Sequence, residues 1–214
     1  VATDGRTNEK IVPVNKDVTQ TALSPNGKEI AFVVRGEVFV TSVEGGITKR
    51  ITNTPQQERM VEFSPDGRSL IYATERGNSW DIYQASITRK EEPYFYASTV
   101  LKEEPLIATE ADEFQPLVSP DGKEIAYLEE RNILKVYNIA SKKSRTLVPE
   151  GVNFSYSDGD QDFRWSPDGK YISLQSNEGL WPMTEIALIK ADGSGTRLNL
   201  TESGFIDAAP KWGF

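Results

Sequence analysis

A four-residue turn recurs four times in this 214-residue chain, and its chemistry leaves few folds open. It reads Ser24-Pro25-Asn26-Gly27, Ser64-Pro65-Asp66-Gly67, Ser119-Pro120-Asp121-Gly122 and Ser166-Pro167-Asp168-Gly169. Proline presets φ, Asp or Asn hydrogen-bonds its own backbone, and glycine takes the positive-φ position, so each copy reverses the chain tightly between two strands. A strand-like run follows every copy: Glu29-Ile30-Ala31-Phe32, Ser69-Leu70-Ile71-Tyr72, Glu124-Ile125-Ala126-Tyr127 and Tyr171-Ile172-Ser173-Leu174. The copies stand 40, 55 and 47 residues apart, a period that reads as propeller blades.

Strand-like runs and Gly turns divide the chain into four units. The first has strands at 21–23, 29–34, 38–43 and 48–52, which make one blade of four antiparallel strands. The second repeats this at 60–64, 69–74 and 81–87, and its fourth strand, at 106–108, is delayed by an insertion over 88–104. That insertion carries Arg89-Lys90-Glu91-Glu92-Pro93 and then Tyr94-Phe95-Tyr96. It reads as an element capping the blade edge sooner than as a loop on a functional face. The third unit has strands at 116–119, 124–129, 134–139 and 144–147, the fourth at 163–165, 171–175, 184–190 and 196–200.

The expected fold is therefore an all-β propeller in a single domain over 1–214, with four complete blades at about 21–54, 60–109, 116–148 and 162–201. Partial strands flank them at 11–14, where Pro13 confines the run to an edge or a strand start, and at 208–213, which matches the lead-in to a fifth turn. The expectation is an incomplete ring from a larger six- or seven-bladed propeller. The polar start without Met is read as a cut from something longer.

Composition removes several functions. The chain has no Cys and no His, which excludes disulfides, thiolate chemistry, the Ser-His-Asp triad and the common zinc sites. A net charge of −8 with scattered basic residues argues against nucleic acid. The cluster Lys142-Lys143 with Arg145 reads as a solvated hairpin turn. No apolar run approaches the roughly 20 residues of a membrane span. No nucleophile elbow or phosphate-binding glycine loop is present. No cofactor and no catalytic residue is assigned, so enzyme activity rests on what else the parent protein carries.

One positional pattern stands out. Glu58, Glu113, Asp160 and Asp207 each lie five residues before Phe63, Val118, Trp165 and Trp212, where the chain enters an innermost strand. The favoured reading is structural, a carboxylate receiving backbone hydrogen bonds. The functional reading is a ring of carboxylates near a channel mouth that selects cationic peptide groups by field. Asp158-Gly159-Asp160-Gln161-Asp162 begins like a calcium loop, but Gly169 stands where the bidentate Glu belongs, so no metal is assigned. Trp80-Asp81 reads as a strand start, and Leu180 with Trp181-Pro182-Met183 as an apolar contact or an inter-blade plug.

The repeat pattern of Ser-Pro-Asp-Gly-Lys, Ile-Ala-Phe or Ile-Ala-Tyr, a strand, a Gly turn and Arg-Ile-Thr-Asn resembles TolB-type propeller repeats. The stretch Arg35-Gly36-Glu37-Val38-Phe39-Val40, with Glu44-Gly45-Gly46, Lys49-Arg50-Ile51-Thr52-Asn53-Thr54-Pro55 and Glu58-Arg59, is similar to the opening blades of tricorn-type serine peptidases. The resemblance implies a non-catalytic propeller segment that guides or gates peptide substrate and contacts other domains of its parent chain. The alternatives are a free-standing TolB-like protein-binding scaffold and the propeller of a prolyl-oligopeptidase-type hydrolase. It further implies a periplasmic or secreted protein, with a cytoplasmic one as the alternative.

Overall fold

The computed structural model describes residues 17–155, 157, 161–177 and 183–213. The 11–14 strand and residues Asp158, Asp160, Leu180, Trp181 and Pro182 therefore lie outside the described residues. Among the described residues there is no helix; sixteen strands form four four-stranded antiparallel sheets, each a simple meander.

Sheet 1 holds β1 (Val18–Leu23), β2 (Glu29–Val34), β3 (Glu37–Ser42) and β4 (Thr48–Arg50). Sheet 2 holds β5 (Glu58–Phe63), β6 (Ser69–Arg76), β7 (Ser79–Ile87) and β8 (Leu101–Ile107). Sheet 3 holds β9 (Glu113–Val118), β10 (Glu124–Glu129), β11 (Ile133–Asn138) and β12 (Lys143–Val148). Sheet 4 holds β13 (Phe163–Trp165), β14 (Tyr171–Ser176), β15 (Glu185–Lys190) and β16 (Leu198–Asn199).

The second sheet's outer strand starts five residues earlier than the sequence predicts, so the insertion spans 88–100. Pro105 sits within β8 opposite Tyr83, tolerated because β8 is an edge strand. The first strand is also longer than expected, beginning at Val18.

The sheets pack face to face, and strand alternation assigns each buried side chain to one junction. Leu70 and Tyr72 join the core shared with Ala31, Val33, Val38 and Val40 of sheet 1. Ile71 turns the other way, onto Val118, Ile125 and Tyr127 of sheet 3. Ala126 and Leu128 then face Trp165, Ile172 and Leu174 of sheet 4. Strands covered on both faces bury consecutive residues, which is why Ile125 to Leu128 read as an unbroken apolar run.

The recurring turns are built as their chemistry predicts, with one addition. In the second copy, Gly67 takes φ 69° and donates its N–H to the Ser64 carbonyl at 2.8 Å. The Ser64 hydroxyl donates to Asp66 at 2.6 Å and accepts the Ser69 N–H at 2.9 Å, so serine locks the turn from inside. The turns also touch one another. A Cβ on Gly67, Gly122 or Gly169 would meet Pro25, Pro65 or Pro120 of the preceding sheet at 3.7, 3.7 and 3.8 Å, so each proline seats the next turn.

The basic hairpin is only partly solvated. Lys142 occupies the turn at φ 57°, whereas Arg145 clasps Glu124 with two bonds of 2.6 Å and reaches the Ala191 carbonyl of sheet 4 at 2.7 Å.

Candidate functional site

Four innermost strands define the site: β1, β5, β9 and β13. Three of them are bulged, β1 through a register slip between Val18 and Gln20. In β5 the register slips between Arg59 and Glu62, with Met60 at φ 58°; in β9 the slip falls opposite Ala126–Leu128, with Gln115 at φ 53°. A bulge puts an extra residue in one strand and re-aims its neighbours. Here it links the strands to each other. The Met60 N–H donates to the Gln20 side chain, the Gln115 N–H to Met60 Sδ at 3.1 Å, and the Gln115 amide to the Gln161 carbonyl.

Residues 208–213 add no strand to the four sheets, yet they repeat inner-strand features. Ala209 takes φ 54° at the position of Met60 and Gln115. The Trp212 indole donates to the Arg164 carbonyl at 3.4 Å, as the Trp165 indole does to the Leu117 carbonyl at 2.9 Å.

At the head of the inner strands stand the predicted carboxylates. Glu58 is completely buried and accepts from Thr54 at 2.7 Å and from Thr52 and Thr74 at 3.1 Å each. Burial pushes its carboxyl above the ordinary range against the pull of these hydroxyls. Glu113 is equally buried but has the Thr109 hydroxyl as its side-chain donor, and its Oε2 has no hydrogen-bond partner. Desolvation pushes Glu113 up to about 7.

Asp207 is half-buried and accepts from Ser203 at 2.7 Å; Ser203 lies four residues upstream, as Thr54 does from Glu58. Thr201 copies Thr52 in turn: each hydroxyl accepts the N–H that opens a third strand, from Ile186 or Val38, at 2.9 Å. The donors to these carboxylates are thus chiefly threonine and serine hydroxyls, where the sequence suggested backbone amides. Asp160 falls outside the described residues. In the unbulged β13 the Phe163–Leu174 pairing counts back to set Gln161 across from Ser176, and Gln161 is buried there.

A second pair of charges escaped the sequence reading. Glu62 and Arg164 each stand two residues before a turn serine, on β5 and β13. Glu62 is half-buried and Arg164 exposed. Desolvation raises Glu62 to about 7, and the Arg164 charge opposes that rise. The two charges belong to sheets 2 and 4, and Arg164 pairs with Asp162 at 3.7 Å. The common offset from the serine was the only sequence signal.

Glu113 Oε2 and the Gln115 side-chain oxygen are buried without hydrogen-bond partners. The inner strands also carry the exposed guanidinium of Arg164, paired with Asp162, and the half-buried carboxyl of Glu62. Such charges suit a ligand with opposite charges at its ends.

Comparison with known proteins agrees with the propeller. No protein-family model matches the chain. In sequence it is similar to dipeptidyl-peptidase 5 of Porphyromonas endodontalis, 26% identical over 212 residues, covering 76% of this chain and 30% of that protein. In structure it is similar to TolB from Acinetobacter baumannii, with a TM-score of 0.64 at 22% identity, covering 86% of this chain and 43% of TolB. It is also similar to the tricorn protease, with a TM-score of 0.65 at 16% identity, covering 94% of this chain and 19% of that one. The chain is thus an all-β propeller structure of the TolB and tricorn kind, and it spans less than a third of the peptidase it matches in sequence.

Proposed function

We propose that these sheets are the blades of a peptidase propeller that admits and orients peptides for catalytic groups elsewhere in the protein. They belong, on this reading, to an incomplete set from a larger ring, in an exported protein, and they hydrolyse nothing themselves. The observation that carries the proposal is the inner-strand pair of charges, Glu62 on β5 and the exposed Arg164 on β13. A peptide's ammonium and carboxylate complement that pair. The similarity to a dipeptidyl-peptidase supports peptide as the ligand class.

In this reading the carboxylate row is structural: Glu58 and Asp207 are held by hydroxyls, and Glu113 is sealed in its sheet junction with one oxygen left open. The test uses the full-length protein. Arg164→Ala should raise KM severalfold for peptides with a free carboxylate, leaving kcat on a minimal chromogenic substrate unchanged. Unchanged KM for every peptide would overturn the guiding role. If the full-length protein hydrolyses no peptide at all, the chain belongs to a binding scaffold instead.

A further inference from the structure

The insertion between β7 and β8 shows how a groove between two of these sheets is filled. Phe95 is completely buried between sheets 1 and 2, edge-on to Phe63 at 6.0 Å and in one cluster with Ala31, Val40 and Ile87. Flanking backbone is held from both sides. The Tyr96 N–H donates to Glu29 at 3.2 Å, and Lys49 reaches the Ser98 carbonyl. Arg68 donates to the carbonyls of Arg89 at 2.7 Å and Glu92 at 3.1 Å.

The groove between sheets 2 and 3 is made from the same strand positions. Ser69, Ile71 and Gln84 stand where the first groove has Glu29, Ala31 and Val40, and Val118 and Ile139 stand for Phe63 and Ile87. Here the matching connection, between β11 and β12, is only the four residues 139–142, too short to fold back over it. A cleft of about 480 Å³ results, within the size range of small ligand sites at roughly 300–1,000 Å³. Ile71, Val118 and Ile139 give it an apolar lining, and Asp66 and Asp121 stand on its rim. The third junction also keeps a cleft, of about 540 Å³, but its lining is charged, with Glu124, Arg145, Lys170 and Lys190, and Trp165 is packed in its core.

We infer that the groove between sheets 2 and 3 binds an extended segment of a partner protein, seating an aromatic side chain against Ile71, Val118 and Ile139 and a neighbouring basic residue against Asp66 and Asp121. The chain's own Phe95 segment is the template for the aromatic anchor, and the two aspartates supply the charge preference. This groove is separate from the inner-strand constellation and does not depend on it.

The test is fluorescence polarisation on the full-length protein with a labelled decapeptide, the 89–98 sequence carrying lysine in place of Glu91 and Glu92. Saturable binding is expected, weakened about tenfold when the peptide's phenylalanine is replaced by alanine. Val118→Trp should abolish it by filling the groove, and Trp165 at the same position of sheet 4 shows that the fold accepts tryptophan there. Should that variant fail to fold, Asp66→Asn with Asp121→Asn carries the test, because the first turn natively holds Asn26. The pair should weaken binding about threefold at low salt and less at high salt. Absence of saturable binding, or binding indifferent to Val118→Trp and to the asparagine pair, would overturn the inference.

Discussion

Glu58 and Glu113 head the inner strands of adjacent sheets, and both are cut off from solvent. Glu58 pairs across its ladder with Thr74, whereas Glu113 pairs with Glu129. Six residues upstream of each, Thr52 serves Glu58 while Ile107 stands before Glu113. Two hydroxyls have thus been exchanged for a methyl-bearing side chain and a like charge. The difference teaches what a buried carboxyl requires: where the fold supplies donors it becomes a brace, and where it withholds them the charge is displaced toward neutrality and an oxygen stays open.

Glu58→Ala should break the contrast most severely. It strips Thr54 and Thr74 of their acceptor, leaves Thr52 only Glu37 to donate to, and removes the carboxylate 3.9 Å from Arg76. A loss of about 2–4 kcal/mol in denaturant unfolding is expected, with less than half of that for Glu113→Ala. Equal losses would mean that the hydroxyls do not matter.

The pH dependence should differ next. Glu113 holds its proton up to about 7 when folded and loses it near the ordinary 4.5 when unfolded, so its contribution is present below 4.5 and lost as pH rises through about 7. Glu113→Gln cannot lose a proton. Its stability relative to the parent should therefore rise by about 1–2 kcal/mol between roughly pH 5 and 8, read by thermal melts at both. A flat difference would show that Glu113 titrates normally.

Restoring donors should sharpen the comparison. Ile107→Thr with Glu129→Thr rebuilds around Glu113 the set that Glu58 has, and should lower its midpoint by about one unit in carboxyl NMR titration. The smallest effect should come from Thr74→Val, which removes one of three hydroxyls from Glu58 at a cost of about 1 kcal/mol.

Much of the architecture was legible. The four turns carried the sheet boundaries, because proline, aspartate and glycine act within four residues and need no distant partner. The inner-strand carboxylates were legible as a position but not as chemistry, since Thr52 and Thr54 reach Glu58 from the β4–β5 connection and Thr74 from β6. Counting five residues back from each inner-strand aromatic or aliphatic assumes the same bulge everywhere. The bulges at Met60 and Gln115 are absent from β13, and that one-residue slip brings Gln161 to the buried place. Glu62 and Arg164 were passed over because a lone charge in a strand reads as a solvent-facing residue; only the fold shows that the Arg164 charge is felt at Glu62.

Local chemistry alone therefore determined the repeat, the turn geometry, the all-β class and the exclusion of histidine- and cysteine-based catalysis. Tertiary structure alone decided which carboxyls are satisfied and which stay open, and which inter-sheet groove Phe95 fills and which remains free. The physical reason is range: a turn is settled by neighbours along the chain, while desolvation and hydrogen-bond supply depend on groups that only packed sheets bring together.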